Sequence, residues 1–335
     1  MNPPLVYLAL DERLFQQLEL ETELERLREL ARVERWPGPG HITPAALGDV
    51  LGRAEVLFTG WGTPPLAQLN DWSPERFAVR LVVHTAGTVK RLLPPSAIER
   101  GLLVTHANES LAEAVAEFTL GAILTERRRA FAAAQRLRQG RPPLPVSAMR
   151  EVRGSTVGVI GASAIGRRVM RLLAPLDVTL LLYDPYCSPA DAAAHGATLL
   201  GLHELLRRSD VVTLHAPVTP ETLGMLGAAE FAAMRDGALF VNTARGRLID
   251  AEALLRELQS GRINALLDVT DPVEPLPPDS PFFELENCVV LPHLAGISAE
   301  ARRRQGTISV DETLRYLHGE PLRYPVTRER WDTMA

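Results

Sequence analysis

The feature that most restricts how this chain can fold is a succession of short apolar runs in its second half: TVGVIG, VTLLLYD, DVVTLHA, GALFVNT, INALLDV and CVVLP. Most are separated by segments of helical pattern, and several are apolar on both alternating faces rather than on one. A strand apolar on both faces must be covered on both faces, which is the condition of a parallel sheet sandwiched between helices. Shorter runs of the same kind occur earlier, in LVYLAL (5–10), AEVLFTG (54–60), RLVVHTAG (80–87) and LLVTH (102–106), with an amphipathic helix expected up to about residue 31 on Leu14, Leu18, Leu24 and Leu27. The first hundred residues therefore read as a small α/β unit. Residues 109–139 are Ala-rich and helical in pattern, long enough for one helix or two, and RPPLP ends them. A Pro-rich loop, DPVEPLPPDSPFFELEN, precedes CVVLP, and the helical pattern resumes over 297–317. A chain of 335 residues has room for about two such domains.

Composition removes several classes of function. Hydrophobic residues make up 46% and charged residues 23%, the range of folded soluble domains. The formal net charge of −5 provides no overall positive field for a nucleic-acid backbone or an anionic membrane, so neither is expected as a partner. No apolar run approaches the ~20 residues of a membrane span, and the start MNPPLVYLALDERLF lacks a basic leader, so a cytoplasmic location is expected. The two cysteines, Cys187 and Cys288, lie in different segments without CxxC spacing, which gives neither a disulfide framework nor a zinc ribbon. His41, His84, His106, His195, His203 and His318 are scattered without metal-ligand spacing, and no metal is expected. The arginine run at 127–129 reads as a solvated helix face or as an arm facing a partner in a homodimer.

One segment carries a specific chemical signal. In VGVIGASAIGRR, Gly161 and Gly166 sit between an expected strand and an expected helix, with Ser163 where a Gly-x-Gly-x-x-Gly turn has its middle glycine. Such a turn needs a tight bend at the first position, close approach of a pyrophosphate at the second and close helix-to-strand packing at the third. A glycine pattern alone is equally a structural turn. Asp184 strengthens it, because it ends the next apolar run about 20 residues further on, where a carboxylate accepts ribose hydroxyls and repels a 2′-phosphate. NAD is thereby favoured over NADP, and the competing reading of Asp184 is a turn cap before Pro185.

The segments AVAEFTLGAIL, RGSTVGVIGASAIGRR, SDVVTLHAPVTPETLGML, GALFVNTARGRLID, LLDVTDPVEPLP and VVLPHLAG, taken in order, resemble the D-isomer-specific 2-hydroxyacid dehydrogenase family, which includes phosphoglycerate, glycerate and hydroxypyruvate dehydrogenases. The resemblance implies a catalytic arginine at Arg245, its acidic partner at Glu274 and a proton-transferring histidine at His293. These residue types suit the reaction. A histidine titrates near neutral pH, a carboxylate on its other ring nitrogen fixes the tautomer, and a guanidinium fork suits a substrate carboxylate. The spacing around Glu274 departs from the family pattern by one extra residue, and Thr270 replaces an aromatic, so Asp271 is a rival carboxylate. The same resemblance implies cofactor contacts at Gly161, Ser163, Ile165, Gly166, Arg167, Asp184, His215, Pro217, Thr243 and Asp268, and a substrate-carboxylate loop at Thr85, Ala86 and Gly87 with Arg245. Trp61 and Lys90, the single lysine, are candidates for the border of that pocket.

The expected architecture is α/β in two domains. Residues 106–297 would form a Rossmann-type parallel-sheet NAD-binding domain, and residues 1–105 with 298–335 a smaller flavodoxin-like α/β substrate domain. The resemblance further implies a substrate cleft between domains, which closes before hydride transfer, and a homodimer paired through the cofactor domain. The expected activity is NAD-dependent interconversion of a small 2-hydroxy acid and its 2-keto acid. Two alternatives remain open: an NAD-responsive binding protein or corepressor of the same fold, and a phosphite dehydrogenase-like enzyme. A formate dehydrogenase-like reading is disfavoured, since that relative is expected to have glutamine where Glu274 stands.

Overall fold

The computed structural model describes residues 3–333. The chain divides into two compact units, Met1–Leu111 with Ile297–Ala335, and Ala112–Gly296. The first unit holds five strands: β1 (Leu5–Leu8), β2 (Arg32–Arg35), β3 (Val56–Thr59), β4 (Leu81–His84) and β5 (Leu103–His106). They form one parallel sheet in the order β2-β1-β3-β4-β5. Successive side chains of a strand point to opposite faces, and here both faces are covered. Leu5, Tyr7 and Ala9 enter one apolar cluster with Leu57 and Val82, whereas Val6, Leu8 and Leu10 enter the other with Val56, Phe58, Leu81 and Val83. The second cluster also takes in Val310 and Leu314 from the helix Ala299–Leu317, so a late segment completes an early core. That helix runs close to the first helices: a β-carbon on Gly306 would lie 2.3 Å from the Leu18 carbonyl oxygen. Its buried Glu312 accepts hydrogen bonds from the Thr105 hydroxyl at 3.0 Å and the Arg323 and Tyr324 amides at 3.0 and 2.9 Å, so the carboxylate is satisfied where it is desolvated.

The second unit holds β6 (Thr156–Ile160), β7 (Thr179–Tyr183), β8 (Ala197–Leu199), β9 (Val211–Leu214), β10 (Leu239–Asn242), β11 (Asn264–Leu267) and β12 (Cys288–Val290). These also make one parallel sheet, ordered β12-β11-β10-β9-β6-β7-β8. Val157, Val159, Leu180, Leu182, Val211 and Val241 face one core, and Ile160, Leu181, Val212, Leu214 and Phe240 face the other. Each such side chain contributes roughly 1.5–3 kcal/mol by leaving water. From β6 the chain builds outward through β7 and β8, then returns to place β9 on the other side of β6. The strand order thus reverses between β6 and β9, and in open α/β sheets ligands bind at the carboxyl ends of strands beside such a reversal.

Some elements differ from the sequence expectation. The segment RVER and the segment ATL are strands, β2 and β8, and each is the outermost strand of its sheet. The helix expected up to about residue 31 is two helices, Glu12–Gln17 and Leu20–Arg28, parted where Glu19 takes the left-handed conformation with φ 50°. The 109–139 stretch is likewise two helices, Asn108–Arg127 and Ala130–Arg138, parted at Arg129 with φ 55°. Among the described residues, no helix is long and apolar enough to cross a membrane.

Candidate active site

The glycine turn lies at the reversal point of the second sheet. Gly161 directly follows β6 with φ +96°, and a β-carbon there would fall 2.6 Å from the Ala216 nitrogen. Gly166 is equally constrained, since its β-carbon would meet the Gly161 carbonyl oxygen at 2.0 Å. Ser163 stands in extended backbone, φ −62° and ψ 176°, so its position asks for no glycine on conformational grounds. It is the N-cap of the helix Ala164–Leu173, accepting a hydrogen bond from the Gly166 amide at 3.2 Å. Its hydroxyl hydrogen stays available for another acceptor. Ile165 packs half-buried against the core, and Arg167 donates through Nε to the Ala162 carbonyl at 2.7 Å.

Asp184 follows β7 and joins this turn: Oδ2 accepts from the Ala162 amide at 2.7 Å and Oδ1 from the Tyr186 amide at 2.8 Å. It therefore does cap a turn, while its carboxylate keeps further acceptor sites. His215, just past β9, is buried, and its Nε2 is paired with the Thr213 hydroxyl at 2.9 Å. Its Nδ1 is buried without a partner, and burial pushes its pKa down to about 3, so the ring is neutral. Pro217 accepts the Thr222 hydroxyl on its carbonyl at 2.7 Å, and buried Thr243 shares a 3.0 Å hydrogen bond with Thr119.

Arg245, Glu274 and His293 come from three loops at the carboxyl ends of β10, β11 and β12 and converge within this one unit. The loop after β10 is braced by buried Asn242, whose side chain accepts from the Ala244 amide at 3.0 Å and donates to the Arg245 carbonyl at 3.1 Å. Arg245 donates to the Ala244 carbonyl at 2.6 Å. Burial lowers its pKa, and the negative charge of Glu274 opposes that shift. Gly246 lets the two loops meet: a β-carbon there would lie 2.2 Å from the Thr270 carbonyl carbon. Glu274 Oε1 is hydrogen-bonded to His293 Nδ1, and Oε2 accepts from the Thr270 amide at 3.2 Å. Asp271 is directed elsewhere, 3.9 Å from Arg247, so the structure brings Glu274 rather than Asp271 to the imidazole.

Asp268, expected from the sequence as a cofactor contact, also makes backbone contacts of its own. Its carboxylate is almost fully buried and accepts from the Leu294 and Ala295 amides at 2.8 and 2.9 Å. It thereby clamps the backbone just beyond His293, which itself has φ +56°. A carboxylate on His293 Nδ1 requires the ring proton there, which leaves Nε2 free in the neutral tautomer to accept a proton or, once charged, to give one up. Asn242 and Gly246 support this arrangement without having been singled out from the sequence, and Thr270, noted there only for replacing an aromatic, supports it through its amide.

Thr85, Ala86 and Gly87 belong to the first unit, directly after β4. The Thr85 amide is spent on the Thr59 carbonyl at 2.8 Å, and its hydroxyl on the same oxygen at 3.1 Å. Among the described residues the Ala86 and Gly87 amides have no acceptor. No group of three or more metal-ligating side chains occurs among the described residues.

A doubly wound sheet with a glycine turn at its reversal point places the second unit in the class of dinucleotide-binding domains. Residues 120–295 match the model of the D-isomer specific 2-hydroxyacid dehydrogenase NAD binding domain. The chain belongs to this family. It is 32% identical over 302 residues to D-3-phosphoglycerate dehydrogenase of Methanocaldococcus jannaschii, covering 90% of this chain and 56% of that protein. It is 36% identical over 232 residues to glyoxylate reductase of Thermofilum pendens, covering 68% of each. The solved structure of the TT0316 protein of Thermus thermophilus superposes with a TM-score of 0.79 at 31% identity, over 96% of this chain and 100% of that one. The chain spans about half the length of several phosphoglycerate dehydrogenases it matches.

Proposed function

We propose that this chain is an NAD-dependent 2-hydroxyacid dehydrogenase that interconverts a small 2-hydroxy acid and its 2-keto acid. The observation that carries the reading is the Glu274–His293 pair, which leaves the other imidazole nitrogen clear of the carboxylate while Arg245 lies in electrostatic reach of Glu274. The residues present fit a dinucleotide. Gly161 and Gly166 form a turn that admits no β-carbon, the unpartnered Nδ1 of His215 marks a buried polar atom awaiting an acceptor or donor, and Asp184 follows β7 where a ribose would lie. When bound, the cofactor supplies or accepts the hydride.

The chain's own groups do the rest. His293 Nε2 gives a proton to the developing alkoxide in reduction and removes it in oxidation, while Glu274 stabilises the imidazolium. Arg245 polarises the carbonyl and binds the substrate carboxylate. Asp268, by clamping residues 294 and 295, positions His293. A homodimer is the expected assembly, supported by the exposed apolar side chains Leu124, Phe131, Leu137 and Val146 along residues 108–146, and a cytoplasmic location is in keeping with the sequence.

Replacing His293 by Ala is expected to lower kcat/KM for 2-keto acid reduction by about 10²–10⁴-fold. NADH affinity, measured by fluorescence titration, should remain within about twofold of the parent, as expected for a group acting only in the chemical step. An active variant with an unchanged pH profile would refute the assignment. A parent protein that binds NADH but turns over no 2-keto acid would favour the corepressor reading instead.

A further inference from the structure

The first unit contains a cation that its own acids do not neutralise. The helix Ala299–Leu317 begins with three arginines in its first two turns, and each has a different environment. Arg303 is gripped by Glu19 through two hydrogen bonds of 2.7 and 2.9 Å. Arg304 donates to the Ser110 carbonyl at 3.2 Å. Arg302 has no carboxylate among the described residues: its guanidinium lies 4.0 Å above the Trp61 ring and donates to the Gln305 side-chain oxygen at 3.1 Å. It is half-buried, and burial alone pulls its pKa below the ordinary arginine value. A cation near the N-terminal end of a helix also opposes the helix dipole. Partial desolvation and an unfavourable dipole without a paired anion are a standing cost, which an anionic ligand would relieve.

The position of this cation indicates what the anion is. β3 and β4 pair in parallel with Thr59 opposite His84, so the loops that follow them leave the same edge of the sheet side by side. One carries Trp61, and the other carries the Ala86 and Gly87 amides. The loops are in close contact, since a β-carbon on Gly60 would lie 2.9 Å from the Thr85 hydroxyl. Gln305, on the next helical turn from Arg302, is fully buried with its Nε2 lacking a partner. A guanidinium above an indole, with one nitrogen given to Gln305, keeps further N–H donors for a carboxylate or phosphate rather than for an apolar group. We propose that Arg302, stacked on Trp61, is a specificity residue that selects 2-keto acids whose far end bears a second anionic group. This rests on the 2-hydroxyacid dehydrogenase reading given above.

The test is steady-state reduction of two sets of 2-keto acids by the parent enzyme and by Arg302→Gln and Arg302→Lys. One set has uncharged side chains (glyoxylate, pyruvate), and the other carries a second carboxylate (oxaloacetate, 2-oxoglutarate) or a phosphate (phosphohydroxypyruvate). The parent is expected to favour at least one dianionic substrate at least tenfold in kcat/KM over pyruvate, and the better arm tells carboxylate from phosphate. In Arg302→Gln that ratio should fall at least tenfold, mainly through KM, and Arg302→Lys should recover part of it by restoring charge without the fork. A brace between helix and loop would lower the melting temperature and leave the ratio unmoved, which overturns the proposal. So does a parent enzyme that turns over 2-keto acids without preferring a second anion. If Arg302→Gln does not fold, the ratio measured for Arg302→Lys decides by the same criterion. A parent inactive on every 2-keto acid removes the proposed function, and this inference with it.

Discussion

Gly246 shows how much of the site depends on the absence of a side chain. Arg245 and Glu274 are 29 positions apart in sequence and are brought into electrostatic reach because the turn after Arg245 lies against the Thr270 peptide. A methyl group there would sit 2.2 Å from a backbone carbon, and backbone cannot rotate aside as a side-chain end can. Gly246→Ala is therefore expected to cost about 1–3 kcal/mol of stability through overpacking. Turnover should fall more than tenfold, because the loop that carries Glu274 must shift. Thermal unfolding and steady-state kinetics on the same preparation check both, and a variant of parental activity would show that the two loops are not rigidly coupled. Arg245, Glu274 and His293 could be named from sequence because their local motifs carry them. The clamp made by Asp268 could not, because it acts on backbone 26 and 27 positions away that only the folded sheet brings near, whereas Asn242 and Thr270 act through short-range bonds that no residue pattern announces.

At the scale of elements, the strands that were legible are those with apolar residues on both alternating faces, such as β6, β7 and β9. β2, the sequence RVER, escaped because an outermost strand pairs on one side only and keeps its charges in water, and β8 because three residues set no period. The breaks at Glu19 and Arg129 were invisible for another reason: neither is a glycine, so no local preference announces a left-handed residue. The glycine turn is the opposite case. Its Ser163 looks like a defect by pattern, yet as a helix N-cap it has a role that glycine would fill less well. Ser163→Gly is expected to cost only a few tenths of a kcal/mol and to keep NADH binding, whereas Ser163→Val should cost about 1 kcal/mol and weaken NADH binding at least tenfold. Titration of both variants, alongside their melting temperatures, separates the capping effect from the steric one. Equal affinities would argue that no phosphate approaches this turn.

For the molecule as a whole, two buried histidines, His84 and His215, and the half-buried His106 set the response to acid. Burial, together with the neighbouring His106, pushes His84 down to about 4. His106 is also pushed to about 4 by burial and by Arg330, against the pull of Glu109, and His215 goes to about 3. In the unfolded chain each would take up its proton near pH 6.5. Below that value the unfolded state binds protons that the folded state refuses, so these groups leave stability unchanged above about pH 6.5 and reduce it as pH falls toward about 4, with His215 extending the loss toward about 3. The slope is at most about 1.4 kcal/mol per pH unit for each ring. Urea titrations at pH values between about 7.5 and 4.5 are expected to show the midpoint falling only in the acid part of that range. A midpoint that stays level would mean that these rings are protonated in the folded protein.

The passage of the chain from one sheet to the other and back also fixes an order of events during synthesis. Residues 112–296 hold all seven strands of their sheet in one unbroken stretch and can condense as soon as they leave the ribosome. The five-stranded sheet, although its strands are made first, lacks Val310, the Gly306 contact with Leu18 and the Glu312 bond to Thr105 until the last helix arrives. The guest matures before its host, whose early strands must wait, one face only partly covered, for the end of translation.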